Sequence, residues 1–565
     1  MATRAIRRTL LLGLAVFLGL VVSVSAIPPK PGLFEFDPVT GLSKSTGRSI
    51  VLPPRPKWLD RPEPFKAELA TATNNILIIL IGYPDLVPTE TRQSFTDMVN
   101  GLWMTGSLND YFQEVSYGSF GVSGVSVGWY TAANNHTYYA NFDGVSGTDD
   151  DFGTGGASEY PHNAPRLVEE AVDAAEAAGV NFASFDNNGD GFVDTVFIVH
   201  SGKDGADTGN PNYIWSHKGS IYGGGGTPRY YDGVIIDTYT IQPELNSAGD
   251  HIEIGVFAHE YGHVLGLPDL YDTDYSSEGI GNYGLMAGGC WGADGASPWS
   301  PSHMCAWSKI YLGWITPTVI TEDALNQGIN QVETNAEVYK LWKDGIPQRE
   351  YFLVSNRQKV GFDSRLPGDG GLLVWHIDEN VINANFSSNM VNSDENHKGV
   401  DLEEADGLND LDYGRNRGDA GDFYPGSTNN NAFNDTSNPN SRSYSGAITK
   451  VEVVNIAPSG DPMVANLKVG ASIAPDLQQL KIFPNPFRQG VDHNRIIFAA
   501  LTQQATIRIY TLTGQLVKKQ DVSGQYSWDW DGKNMNGEEL ARGVYIWVVT
   551  NPAGEKRTGK IAIIK

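Results

Sequence analysis

The chain has 565 residues, of which 40 are basic and 66 acidic, for a net charge of −26. A field of that sign repels nucleic acid and anionic lipid, which excludes both as partners. The length exceeds what one core can organise and predicts two to four domains, while 40% hydrophobic and 11% aromatic residues exclude a wholly disordered chain.

Arg4, Arg7 and Arg8 precede an apolar run from Leu10 to Val22, and Val24-Ser25-Ala26 follows as a small-x-small site. That order predicts a signal peptide over 1–26 and a secreted or cell-surface protein. The run is short for a membrane span, and no later segment is long and apolar enough for a stable one. Residues 27–74 are interrupted by Pro53, Pro54, Pro56, Pro62 and Pro64, and predict an extended pro-segment or linker.

Ordered structure is expected from residue 75. The unbroken apolar run Ile76–Ile81 predicts a strand buried on both faces, and Val193–His200 a second. Helices are predicted over Arg92–Leu102, from Leu108, and over Pro165–Ala178, where proline suits the first turn. The alternation predicts an α/β domain over 75–317. Between these elements, Asp186, Asn188, Asp190 and Asp194 stand at alternate positions around Gly191, with the Phe192 carbonyl between. Oxygen ligands in that pattern suit calcium. Phe197 occupies the twelfth position where an EF-hand has glutamate, so the alternative is an Asx-rich turn.

The decisive stretch is His259-Glu260-Tyr261-Gly262-His263-Val264-Leu265-Gly266-Leu267-Pro268-Asp269. Residues four apart share one face of a helix, so His259 and His263 can address a single ion while Glu260 lies beside it. Gly266 and Pro268 stop the helix and return the chain, which lets Asp269 supply a third ligand. Two histidines and a carboxylate leave a fourth tetrahedral position open, as a catalytic zinc site requires. Glu260 is then the general base. The His-Glu-x-x-His pattern alone arises by chance in roughly one per cent of chains this long, and the added Gly and Asp make coincidence about a hundredfold rarer. Met286, in the turn Gly284-Leu285-Met286-Ala287-Gly288-Gly289, is the candidate for a methionine turn beneath the metal.

Cys290 and Cys305 are the two cysteines. They form either one disulfide or two buried thiols.

Beyond Pro317 the texture changes. Runs such as Tyr351–Val354 and Leu372–Trp375 between Gly- and Asn-rich turns predict an all-β domain over 318–470, with Asn429–Ser441 an irregular loop. Alternation in Thr506–Tyr510 and Val544–Val549 predicts a small β-sandwich over 475–565.

These residues resemble the immune inhibitor A-type metallopeptidases, secreted zinc endopeptidases of the metzincin group. The resemblance rests on HEYGHVLGLPDLYD at 259–272 and GLMAGG at 284–289. Ile214–His217, Trp307–Trp314, DNNGDGFVD at 186–194 and ADG at 405–407 support it, so that it covers about 75–470. It implies a metzincin-like zincin fold, zinc on His259, His263 and Asp269, Glu260 as general base, and proteins or peptides as substrates. Gly288 stands where some metzincins carry a tyrosine assisting the oxyanion, which leaves Tyr283 or His217 as candidates for that role. The last 90 residues resemble the Ig-like domains of hook-capping proteins and the sorting domains of type IX secretion, which implies a contact with secretion machinery or a permanent β module. The rival class is a non-catalytic adhesin or glycan-binding protein on a peptidase scaffold; an intact Glu260 speaks against it.

Overall fold

A computed structural model describes residues 25–31, 70, 72–101, 106–141, 152–154, 156–470, 473–488 and 495–564. The basic start and apolar run of the expected signal peptide lie outside these, as does most of 27–74.

The amino-terminal half is built on a six-stranded sheet. Its strands are β1 (Ser25–Ala26), β2 (Thr73–Gly82), β3 (Gly121–Thr131), β4 (Val196–Lys203), β5 (His217–Ser220) and β6 (Thr238–Leu245), in the order β1-β5-β6-β4-β2-β3. β3, β2, β4 and β6 are parallel; β5 runs antiparallel to β6, and β1 antiparallel to β5.

The apolar run of β2 alternates between two cores. Ile76, Ile78 and Leu80 face the larger one, and Leu77, Ile79 and Ile81 the smaller. This is why it reads as continuous hydrophobicity rather than alternation.

Helix α1 (Arg92–Asn100) starts on the Thr91 hydroxyl and stops at Gly101, whose φ is 100°. Helix α2 (Leu108–Val115) opens on a Ser107–Asp110 capping box. Helix α3 (Ala164–Ala177) covers the smaller core, with proline in its first turn. Helix α4 (Ile254–Val264) is buried along its whole length beneath the opposite face.

The β-rich region is a pair of sheets. One has five strands, including Glu350–Arg357 and Gly371–Asp378; the other has four, including Glu452–Val454 and Met463–Lys468. Phe352, Val354, Leu372 and Val374 face the second sheet. Leu353, Leu373, Trp375 and Ile377 face the core that also holds α4. The texture change at 317 is therefore not a break in packing. These two strands are buried on both sides and join the β-rich region to the zinc-motif helix. Within the expected irregular loop, Ala432–Phe433 pairs with Val453 and Val454, because Phe433 enters the same core.

Residues 481–564 form a three-stranded and a five-stranded sheet around a separate core that includes Phe498, Ile507, Trp530 and Val549.

Candidate metal centre and substrate cleft

Three electron-rich atoms converge at the carboxyl end of α4. His259 Nε2 and His263 Nε2 lie 3.2 Å apart, and each is 3.1 Å from Asp269 Oδ1. Helix geometry supplies the first pair, since i and i+4 stack on one face.

The third arrives through the helix ending. Gly266, at φ 96°, occupies the left-handed position just past the helix. Its N–H donates to His263 and that of Leu267 to Gly262, closing the helix in a Schellman motif. The returning chain also orients a ring, because the Leu267 carbonyl accepts from His263 Nδ1 at 2.9 Å. His259 Nδ1 donates in the same way to Leu285, in the methionine-bearing turn, at 2.8 Å.

With both Nδ1 atoms committed as donors, both Nε2 atoms present lone pairs to each other and to a carboxylate. Such an arrangement calls for a cation. Tetrahedral ligands about 2.0–2.1 Å from zinc would stand roughly 3.3 Å apart, close to the spacing here. The residues therefore fit zinc. Burial works to raise the Asp269 carboxyl, but the two imidazoles outweigh it and hold it at about 2. Burial lowers His259.

Glu260 is fully buried, and neither of its carboxylate oxygens has a hydrogen-bond partner among the described residues. Burial, and behind it the charges of Asp269 and Asp204, push its carboxyl well above the usual range, while the nearby Ile27 N–H acts the other way. A carboxylate kept without partners beside a cation site is set up to exchange a proton.

Met286 packs against α4 from below. A Cβ on Gly262 would stand 2.4 Å from its Sδ. The turn thus supports the helix at the residue before His263, and the Met286 carbonyl accepts from the Leu270 N–H at 2.7 Å.

Neither candidate for the oxyanion role is directed at this site. The Tyr283 hydroxyl donates to the Asp419 carbonyl at 2.8 Å and the Asp422 carboxylate at 2.7 Å. The His217 ring is held between the Trp215 carbonyl and the Tyr239 hydroxyl. The hydroxyl of Tyr271 donates instead to the Ala26 carbonyl of the amino-terminal segment at 2.6 Å. Burial keeps it protonated, its pKa well above the ordinary value. Tyr271 lies two residues past Asp269; its place in the motif is a sequence signal, but its direction is not.

Cys290 and Cys305 are free thiols, both buried, so no disulfide joins them. Cys305 Sγ meets the Ser308 hydroxyl at 3.3 Å, and both cysteines serve as small core residues.

The loop from Asp186 to Asp194 turns its oxygens onto its own backbone. Asp186 accepts from the Asp190 and Gly191 N–H groups, Asn188 from Asp190, and Asp190 from Phe192. Asp194 accepts from Asn187. Its three carboxylates do not converge within 4.8 Å of one another. Glu404, Asp406 and Asp422 do converge within that distance. Burial and mutual repulsion raise Glu404 to about 8 and Asp422 to about 7. This cluster spans 18 positions, from Glu404 to Asp422, and in the sequence only the ADG at 405–407 hinted at it.

Residues 92–315 match the family described as immune inhibitor A peptidase M6, catalytic domain, and residues 495–555 match the FlgD Ig-like domain. The chain is 30% identical over 323 residues to the pre-pro-metalloprotease PrtV of Vibrio cholerae serotype O1, which covers 48% of this chain and 33% of that protein. It is 31% identical over 259 residues to Immune inhibitor A of Bacillus thuringiensis subsp. alesti, which covers 40% and 35%. The chain thus spans about a third of the length of these curated relatives. Among solved structures, PorZ of the Porphyromonas gingivalis type-IX secretion system covers 40% of this chain and 22% of that one, at 16% identity and a TM-score of 0.16.

Proposed function

We propose, from the match of residues 92–315 to the immune inhibitor A peptidase M6 catalytic domain and the similarity to PrtV and Immune inhibitor A, that the chain is a secreted zinc-dependent endopeptidase acting on proteins. His259, His263 and Asp269 would hold the zinc. Zinc bound there supplies Lewis acidity, which polarises a carbonyl and makes water acidic near neutrality. Glu260 takes the proton from the attacking water and returns it to the leaving amine. Tyr271 donates its hydroxyl to the carbonyl oxygen as negative charge develops. Met286 and the two backbone carbonyls keep the histidine rings in place.

One observation carries this reading: three electron-rich atoms meet within 3.2 Å beside a buried carboxylate that has no hydrogen-bond partner among the described residues. A non-catalytic adhesin has no use for that arrangement.

Export follows from the signal peptide predicted over 1–26, and the Ig-like unit is assigned to sorting or attachment. Among the described residues no helix is long and apolar enough to cross a membrane. Residues 27–74 are assigned as a pro-segment, because Ile27–Pro31 fill the cleft and a substrate must displace them.

The test is casein hydrolysis by purified protein, with and without a chelator, beside Glu260→Gln. The variant should retain one zinc per chain and lose cleavage. Wild-type rates in Glu260→Gln would refute the mechanism. Sequencing of the active enzyme tests the pro-segment, since an amino terminus at Ile27 argues against removal.

A further inference from the structure

Ser25–Ala26 form a two-residue strand, and Ile27–Pro31 run on from it past Trp215, Trp291 and Arg417. β1 pairs antiparallel with the edge strand β5, Ala26 opposite His217. Four consecutive carbonyls of the segment each accept a hydrogen bond from a different side chain. Ala26 is met by Tyr271 at 2.6 Å, Ile27 by the Trp215 indole at 2.9 Å, Pro28 by the Trp291 indole at 3.0 Å, and Pro29 by Arg417 at 2.9 Å. Pro28 and Pro29 have no N–H to satisfy. Donors aimed at backbone oxygens hold any extended peptide whatever its side chains. In the unprocessed chain the peptide between Ala26 and Ile27 has its oxygen on Tyr271 and its N–H on the Ser216 carbonyl at 3.4 Å; removal of 1–26 leaves Ile27–Pro31 on the carboxyl side of that position.

Selectivity must then come from side chains. Lys30 is the one charged side chain of the segment. Its ammonium meets Asp207 Oδ1 at 2.6 Å and the Ser247 hydroxyl at 3.1 Å. Asp207 is buried, and its other oxygen accepts from the Ser247 N–H. Oδ1 has no other partner among the described residues. Once the segment leaves, a buried carboxylate oxygen faces the cleft without a cation, and a basic side chain is what would restore the pairing.

Resting on the endopeptidase reading above, we infer that Asp207 and Ser247 form a specificity pocket for Lys or Arg at the fourth residue on the carboxyl side of the cleaved bond. Ile27–Pro31 occupies that side of the cleft as the chain's own ligand.

Two measurements on the full chain test this. In the first, a proteome-derived peptide library is digested and the cut sites are read by mass spectrometry. Lys and Arg should be enriched about fivefold at the fourth position after the cut, and Asp207→Asn should abolish the enrichment. Asparagine keeps an acceptor for the Ser247 N–H, so the variant is expected to fold. Absence of enrichment, or enrichment that persists in Asp207→Asn, overturns the inference. The second measurement needs no activity. Lys30→Glu should lower hydrogen-exchange protection of the residue-30 amide, which donates to the Ala206 carbonyl, by about tenfold, and adding Asp207→Lys should restore it. Unchanged protection in Lys30→Glu also overturns the pocket. If no peptide or casein is cleaved while the exchange pattern holds, the peptidase reading fails and the pocket stands as a site for a basic side chain of a bound peptide.

Discussion

Asn389 holds Asp269 in place from 120 residues away. Its amide Nδ2 donates to Asp269 Oδ2, and its Oδ1 accepts from the Asp269 backbone N–H at 2.8 Å. The first bond occupies the carboxylate oxygen that faces away from the histidines and leaves Oδ1 to them. Asn389 has φ 58°, a left-handed conformation that asparagine tolerates better than most residues. Asn389→Ala removes both bonds. Groups that orient a metal ligand typically change affinity by about 10–100-fold. Competition against a fluorescent chelator should therefore show zinc held at least tenfold more weakly, with the fold unchanged by circular dichroism.

Tyr271 makes a separable prediction. Its hydroxyl meets the Ala26 carbonyl at 2.6 Å. Tyr271→Phe keeps the ring and its packing against Tyr275. If the hydroxyl acts on developing charge, kcat should fall by about 10²–10³ with KM little changed. A matching rise in KM at constant kcat would instead mean that Tyr271 only binds substrate.

Gly255 sits in the first turn of α4, where a Cβ would come within 2.0 Å of the Cys290 carbonyl oxygen and 2.8 Å of that of Pro298. Alanine normally stabilises a helix relative to glycine by about 1 kcal/mol. Here the contact is with backbone, which cannot rotate away. Gly255→Ala should destabilise the protein by about 2–4 kcal/mol in denaturant titration. Any gain in stability would contradict this packing.

His376 predicts how stability depends on pH. Its ring lies between Glu350 and Glu403, 3.0 Å from each carboxylate. Burial opposes protonation, but the two carboxylates prevail and raise the ring to about 9 from its ordinary 6.5. Burial also raises Glu403, yet Glu350 on the other nitrogen keeps the charged ring partnered. A group raised in the folded state contributes fully below its unfolded pKa and loses that contribution as pH rises through the folded one. Stability should fall by on the order of 3 kcal/mol between pH 6.5 and just above 9. In His376→Gln the denaturation midpoint should be flatter across that window.

What the amino-acid sequence determined by itself is local. His259, Glu260, His263, Gly266 and Asp269 fall within eleven residues, so helix periodicity and one glycine turn suffice to bring them together. The two-faced burial of β2 was legible in the same way, because a continuous apolar run has few other uses. Only the tertiary structure decided which tyrosine meets the amino-terminal segment. Tyr271 and Tyr283 are equally plausible as residue types, and they differ only in where the chain after α4 turns them. The same holds for Asn389 on Asp269 and for Lys30 on Asp207, contacts between residues more than a hundred positions apart. Such pairings arise from packing one core through the sheet, α4 and the β-rich region, and pattern within a short window carries no record of them.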